Sequence, residues 1–174
     1  MSLAAIILTK NEERDLPGCL ESLKGVADEV FVVDSGSTDN TVDIAERMGA
    51  AVLQHPFENY ARQMNWAIEN APVKADWILR IDADERLDAS MKRWLKEFVE
   101  SPRELTPAGH GEAARGTVPV NGILLARRTE FLGKRLRHGG TFPVWLLRVW
   151  RRGEGRCEDR WMDEHMVLEG GDLA

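Results

Sequence analysis

Asp82-Ala83-Asp84-Glu85 follows directly on Trp77-Ile78-Leu79-Arg80-Ile81, a mostly apolar run of strand length. In extended backbone, residues two apart project to the same side, so Asp82 and Asp84 are expected to aim their carboxylates at one point beyond a strand end. Paired hard oxygen donors suit a hard divalent cation, and such a cation suits a diphosphate. The competing reading is a polar turn leading into a helix. A second acid, Asp34, ends the apolar run Glu29-Val30-Phe31-Val32-Val33, and the hydroxyl-rich turn Ser35-Gly36-Ser37-Thr38-Asp39 follows it.

The elements that must position these acids alternate along the chain. Residues 3–9 read as a continuous buried strand of the kind found in parallel sheets. A helix follows to Leu23 with Leu16, Cys19, Leu20 and Leu23 on one face, and Pro17 moves its start toward Leu16. Strand Glu29–Asp34 leads to a helix bearing Val42, Ile44, Ala45 and Met48, which Gly49 is placed to end. Ala50–Gln54 reads as a third strand, Glu58–Asn70 as a helix stopped by Pro72, and Asp76–Asp82 as a fourth strand. Asp88 is the expected N-cap of a further helix with Met91, Trp94, Leu95 and Phe98 as its apolar face. This alternation predicts an α/β fold whose polar strand ends meet at the carboxyl edge of the sheet, where such folds bind ligands.

After Glu100 the pattern changes. Residues 101–119 carry prolines and glycines and read as a flexible loop. Asn121–Arg127 and Val144–Arg151 read as strands with no helix between them, so the sheet is expected to be mixed and mostly parallel. Within the second, Trp145 and Val149 are expected on one face and Arg148 and Trp150 on the other. One domain over residues 1–174 is expected, with a nucleotide-binding half (1–100), the loop, and an acceptor or catalytic half (120–174).

The chain has 174 residues, 43% of them hydrophobic and 30% charged, as in ordinary globular proteins. It contains no apolar run long enough to span a bilayer, no signal-peptide pattern, and two cysteines without metal-ligand spacing, which together point to the cytoplasm. The net charge of −6 disfavours nucleic acid as a partner. Basic residues nevertheless concentrate at Arg127, Arg128, Lys134, Arg135, Arg137, Arg148, Arg151 and Arg152, with Glu130 as the only acid among them. Either a solvated basic face or attraction to an anionic partner, such as a phosphorylated substrate or the inner face of a membrane, accounts for them.

No G-x-G-x-x-G and no G-x-x-x-x-G-K-[ST] is present, so anionic oxygens fall to a metal or to arginines. Ile-Leu-Thr-Lys-Asn-Glu-Glu at 7–13, Val-Val-Asp-Ser-Gly-Ser-Thr-Asp-Asn-Thr at 32–41 and Asp-Ala-Asp-Glu at 82–85 resemble the inverting family 2 glycosyltransferases of GT-A fold. Phe57–Gln63 and His138-Gly139-Gly140 resemble the bacterial branch that adds sugars to the lipopolysaccharide core.

The resemblance implies a nucleotide-diphospho-sugar donor, a glycan or glycolipid acceptor and a divalent metal, Mg²⁺ or Mn²⁺. It places Thr9, Asn11, Glu12 and Asp34 around the nucleoside, with Asp34 accepting a hydrogen bond from the base. Arg62 and Asn65 would reach the donor phosphates or ribose, Asp82 the ribose, and Arg148 the diphosphate. Asp84, with Asp82, would hold the metal, leaving Glu85 as a helix-side or solvated acid. Inverting transfer also needs a carboxylate to take the acceptor proton. Glu164 matches the family's acid, while the neighbouring Asp163 departs from its His-Glu pattern, so both remain candidates. Relatives of this branch continue past Gly170-Gly171 with a further helical segment. Two other readings stay open: a non-catalytic nucleotide-sugar-binding module and a sugar-1-phosphate nucleotidylyltransferase.

Overall fold

The computed structural model describes residues 1–100, 120–131, 134–135, 144–159, 165–170 and 172–173. Its first half runs β1 (Leu3–Thr9), α1 (Leu16–Leu23), β2 (Glu29–Asp34), α2 (Thr41–Arg47), β3 (Ala51–Gln54), α3 (Tyr60–Asn70), β4 (Trp77–Arg80) and α4 (Ala89–Glu100). Seven strands follow: β5 (Val120–Arg127), β6 (Glu130–Phe131), β7 (Lys134–Arg135), β8 (Val144–Arg151), β9 (Gly155–Cys157), β10 (Met166–Leu168) and β11 (Asp172–Leu173).

The central sheet has the order β11-β5-β8-β4-β1-β2-β3. Pairings β1–β2, β1–β4, β2–β3 and β11–β5 are parallel, whereas β8 is antiparallel to both of its neighbours, β4 and β5. Among the described strands, β8 is thus the one reversed strand of a mixed, mostly parallel sheet. Strand β1 lies between β2 and β4 and is buried along most of its length, which is why its sequence is continuously apolar rather than alternating.

Alternate residues of β1 feed two cores. Leu3, Ala5 and Ile7 pack with Leu16 and Leu20 of α1, Ala45 of α2, and Leu95 and Phe98 of α4. Ala4 and Ile6 pack on the opposite face with Ala61, Met64 and Ala67 of α3, Cys157 of β9 and Met166 of β10. The β9–β10 hairpin therefore covers the α3 side of the sheet. Two contacts seat it there: the Asn65 amide bonds both the N–H and the C=O of Cys157, and a Cβ on Gly155 would lie 2.4 Å from the Trp150 ring.

Local signals explain most element ends. Pro17 sits in the first turn of α1, where its missing N–H costs nothing. Asn59 caps α3 by accepting from the Arg62 N–H at 2.8 Å, so that helix starts at Tyr60 rather than Glu58. Asp88 accepts from the Met91 N–H at 2.8 Å, as its N-cap role predicts. Gly49 takes a left-handed φ of 88° just past α2.

Four expectations are corrected. β4 ends at Arg80, two residues before Asp82, because the chain turns there instead of extending. Trp94 is not part of the buried face of α4; it is 37% exposed and stacks on Phe98 with centroids 5.4 Å apart. The register between β5 and β8 shifts between Ile123↔Val149 and Leu124↔Leu147, which leaves Arg148 as an extra residue on β8. That bulge breaks the two-residue period, so Val149 joins one core while Leu147 and Trp150 join the other. Trp145 and Val149 therefore do not share a face. Finally, among the described residues the arginines of 127–152 are not all solvated. Arg148 is buried, Arg151 stacks on Trp77 at 4.7 Å, and Arg128 pairs with Asp88 at 2.7 Å. Residues 101–119, Arg137 and His138–Gly140 lie outside the described residues.

Candidate functional site

Three charged side chains converge beyond the carboxyl end of β4. The Glu85 N–H donates to the Asp82 carbonyl at 2.9 Å, closing a four-residue turn over 82–85. The Glu85 side chain closes the same turn from the other side, with Oε2 accepting from the Asp82 N–H at 3.2 Å. Arg148, 4% exposed, then grips both acids: its guanidinium reaches Asp82 Oδ2 at 3.2 and 3.3 Å and Glu85 Oε1 at 2.6 Å. Glu85 is thus neither helix-side nor solvated, as its sequence position implied. Burial pushes its carboxyl above the ordinary range against the pull of Arg148, and the charges of Asp82 and Asp84 add to the rise.

Asp82 has two more partners that sequence reasoning missed. The Tyr60 hydroxyl donates to Oδ1 at 3.4 Å, and Arg80 lies 3.6 Å from the same oxygen while its guanidinium covers the Tyr60 ring at 4.4 Å. Burial, then the Asp82 charge, pushes the Tyr60 phenol up, so it stays a neutral donor at physiological pH. Tyr60 lies inside the motif Phe57–Gln63, but nothing in its spacing announced the role. α1 braces the turn from below: Cys19 Sγ lies 3.6 Å from the Asp82 carbonyl, and the Ser22 hydroxyl accepts from the Leu87 N–H at 3.1 Å.

Asp84 differs from both neighbours. It is exposed and, among the described residues, has neither a hydrogen bond nor an ion pair. The expectation that Asp82 and Asp84 aim at one point from an extended strand fails, because the turn sends Asp82 inward to arginines and leaves Asp84 outward. Glu12, across the sheet edge, responds to it: desolvation and then the Asp84 charge raise the Glu12 carboxyl above its ordinary value.

The second cluster surrounds Asp34, which is fully buried. Its carboxylate accepts from the hydroxyls of Thr9 (3.2 Å) and Ser37 and from the N–H groups of Gly36 (2.9 Å) and Ser37 (2.8 Å). Those four bonds use the acceptor capacity of a carboxylate, so a base N–H arriving here has to displace one of them. Asn11 carries a left-handed φ of 57°, which asparagine tolerates. Its N–H donates to the Ser37 hydroxyl and its Oδ1 accepts from the Thr38 N–H, both at 2.8 Å. The turns after β1 and β2 are thereby laced into one rim; Lys10 adds bonds to the Ser35 and Gly36 carbonyls, and Asp39 bonds the Thr41 and Glu13 N–H groups.

The α3 residues separate. Arg62 is exposed and pairs with Glu58, a contact that raises its pKa, with the nearby charge of Asp159 adding to the rise. Asn65 bonds both the N–H and the C=O of Cys157, which fixes its amide against β9. Gln63, unassigned by sequence reasoning, is fully buried and joins strand ends: it bonds the His55 ring (2.8 Å), the His55 carbonyl and the Ser35 hydroxyl (both 3.1 Å). Asp163 and Glu164 lie outside the described residues.

A hard divalent cation fits this donor set in a limited way. Among the described residues no group of three His, Cys, Asp or Glu side chains could hold a metal ion. The protein instead offers one outward carboxylate, Asp84, with the Glu12 charge nearby. Ions of the Mg²⁺ type are commonly bound by one or two carboxylates plus phosphate oxygens and water. Asp82, neutralised by Arg148 and Arg80, is the poorer ligand.

Comparison with known proteins places this arrangement. The family model described as "Glycosyl transferase family 2" matches residues 4–140. The chain is 32% identical over 176 aligned positions to "Lipopolysaccharide core biosynthesis glycosyltransferase LpsC" of Rhizobium meliloti, covering 98% of this chain and 58% of the relative. It is 47% identical over 102 residues to an "Uncharacterized glycosyltransferase" of Rickettsia bellii, covering 59% of this chain and 34% of that one. The chain thus spans less than two thirds of the length of these relatives. The crystal structure of mannosyl-3-phosphoglycerate synthase from Rubrobacter xylanophilus superposes with a TM-score of 0.52 at 18% identity over 71% of this chain and 39% of that one, a likeness of fold. With its strand-end acids on a sheet of GT-A type and a family match running from β1 through β7, the chain belongs to glycosyl transferase family 2.

Proposed function

We propose that this chain carries the donor-binding and catalytic machinery of an inverting, metal-assisted glycosyltransferase, moving a sugar from a nucleotide-diphospho-sugar to a cell-envelope glycan or glycolipid. The observation that carries this reading is the outward carboxylate of Asp84, which has no hydrogen bond or ion pair among the described residues, at the carboxyl edge of the sheet. A divalent cation bound there would neutralise the departing diphosphate. Asn11 and Glu12 stand at the rim for the nucleoside above the buried Thr9 and Asp34, where a base N–H would take the place of one bond to Asp34, and Arg148 holds Asp82 for a ribose hydroxyl. Exposed Arg62 is available to the donor phosphates. Glu164, or Asp163 beside it, takes the proton of the acceptor hydroxyl as its oxygen bonds to the anomeric carbon and displaces the nucleoside diphosphate in a single step. The acceptor class rests on the likeness to the lipopolysaccharide-core enzyme named above.

No helix among the described residues is long and apolar enough to cross a membrane. Trp145, 60% exposed and paired in register with Ala126 beside Arg127, is suited to a peripheral contact with an anionic lipid surface.

Four outcomes test this reading. Asp84→Ala should abolish Mn²⁺-dependent binding of a nucleoside diphosphate in calorimetry while leaving metal-free binding intact; equal affinity with and without EDTA in both proteins contradicts it. Glu164→Gln should retain donor binding and lose transfer by on the order of 10²-fold, and a fully active variant moves the role to Asp163. Donor binding without any turnover in the wild type would favour a non-catalytic module. Sedimentation with anionic vesicles should weaken as salt rises; binding insensitive to salt, or absent, removes the membrane contact.

A further inference from the structure

We propose that Glu85 is a positioning residue, which with the bulged Arg148 fixes the turn that aims Asp84. This inference rests on the metal-assisted reading above.

The argument begins with the connections of Glu85. Its backbone N–H holds the Asp82 carbonyl, its Oε2 holds the Asp82 N–H, and its Oε1 holds Arg148 at 2.6 Å. One residue therefore closes the 82–85 turn twice and ties it to a neighbouring strand. Asp84 lies inside that closed turn, with both flanking anchors, Asp82 and Glu85, fastened to the same guanidinium.

Arg148 reaches them because it is the extra residue of the β5–β8 register shift. A β-bulge re-aims one side chain out of strand alternation, and a buried arginine so re-aimed is matched here by two acids. The planar fork of arginine contacts both carboxylates at once, which an ammonium point charge does less well. The consequence is a division of labour: two acids satisfy the buried cation, and the third is left to face solvent.

A residue in this role acts on metal affinity without touching the metal. Outer-shell changes of this kind cost roughly 10- to 100-fold in metal affinity. Glu85→Gln preserves shape, removes the negative charge that faces Arg148, and replaces one of the two accepting oxygens with an NH2 group, so the amide cannot accept from both Arg148 and the Asp82 N–H. The test titrates Mn²⁺ into the protein by electron paramagnetic resonance with UDP, GDP, CDP or ADP present, alongside calorimetric binding of the same diphosphate in EDTA. Thermal melts check folding.

Glu85→Gln and Arg148→Lys should each weaken Mn²⁺ binding at least 10-fold, with metal-free diphosphate binding weakened by a much smaller factor. The double variant should be little worse than the poorer single one, because the two residues act as one unit. Should Glu85→Gln fail to fold, Glu85→Asp, which keeps the charge but shortens its reach, is expected to fold and show the same selective loss. Mn²⁺ affinity within twofold of wild type in a folded Glu85 variant overturns the proposal. So does an equal loss of metal-free diphosphate binding, which marks general damage. If wild type and Asp84→Ala bind Mn²⁺ alike, the metal-assisted reading itself fails, a result distinct from both.

Discussion

A guanidinium buried between two carboxylates organises this molecule's working edge. Arg148 is 4% exposed, and a buried charge is tolerated only when paired and hydrogen-bonded. Asp82 and Glu85 supply both conditions. Removing one partner of such a buried pair typically costs ~3–5 kcal/mol, a large share of the stability of an ordinary domain. The pairing therefore holds the turn after β4, and the exposed position of Asp84 follows from it.

The sheet brings the remaining groups to the same place. Because β1, β2 and β4 are parallel neighbours, the turns that follow them share one edge. The turns after β1 and β2 are joined through Asn11, Ser37, Thr38 and Asp34, and the turn after β4 follows a strand next to β1 in the same sheet. β8, the one reversed strand, contributes Arg148 from the opposite direction. A fully parallel arrangement at that position would present a strand end here instead of a bulge, and the acids would lose their common partner.

Much of this was legible in the sequence. Continuous apolar runs predicted β1, β2 and β4, and Asp88, Gly49 and Pro72 predicted ends of helices. Asp34 and the Asp82–Glu85 cluster were visible because acids directly after buried strands are conspicuous. What escaped was geometry that depends on several elements at once. The Asp82–Asp84 spacing reads equally as strand or turn, and Glu85 decides the matter by capping the Asp82 N–H. The bulge at Arg148 leaves no mark in strand periodicity, because it exists only relative to β5. Asn65 looked like a helix-face residue able to reach a ligand. Its amide is instead used by the backbone of β9, a short strand whose arrival on α3 the sequence did not announce. Tyr60 and Arg80 were overlooked for the same reason: each becomes meaningful only when stacked on the other beside Asp82.

The central claim is that the acids of this edge are sorted by Arg148, with Asp84 alone turned toward a cation and the diphosphate it accompanies. Crystals grown with Mn²⁺ and a nucleoside diphosphate, and measured at the manganese absorption edge, test it most directly. The account predicts one anomalous peak coordinated by Asp84 and by phosphate oxygens, with Asp82 and Glu85 still bound to Arg148. A peak elsewhere, or one ligated by Asp82 and Glu85 released from Arg148 while Asp84 stays in solvent, would contradict it.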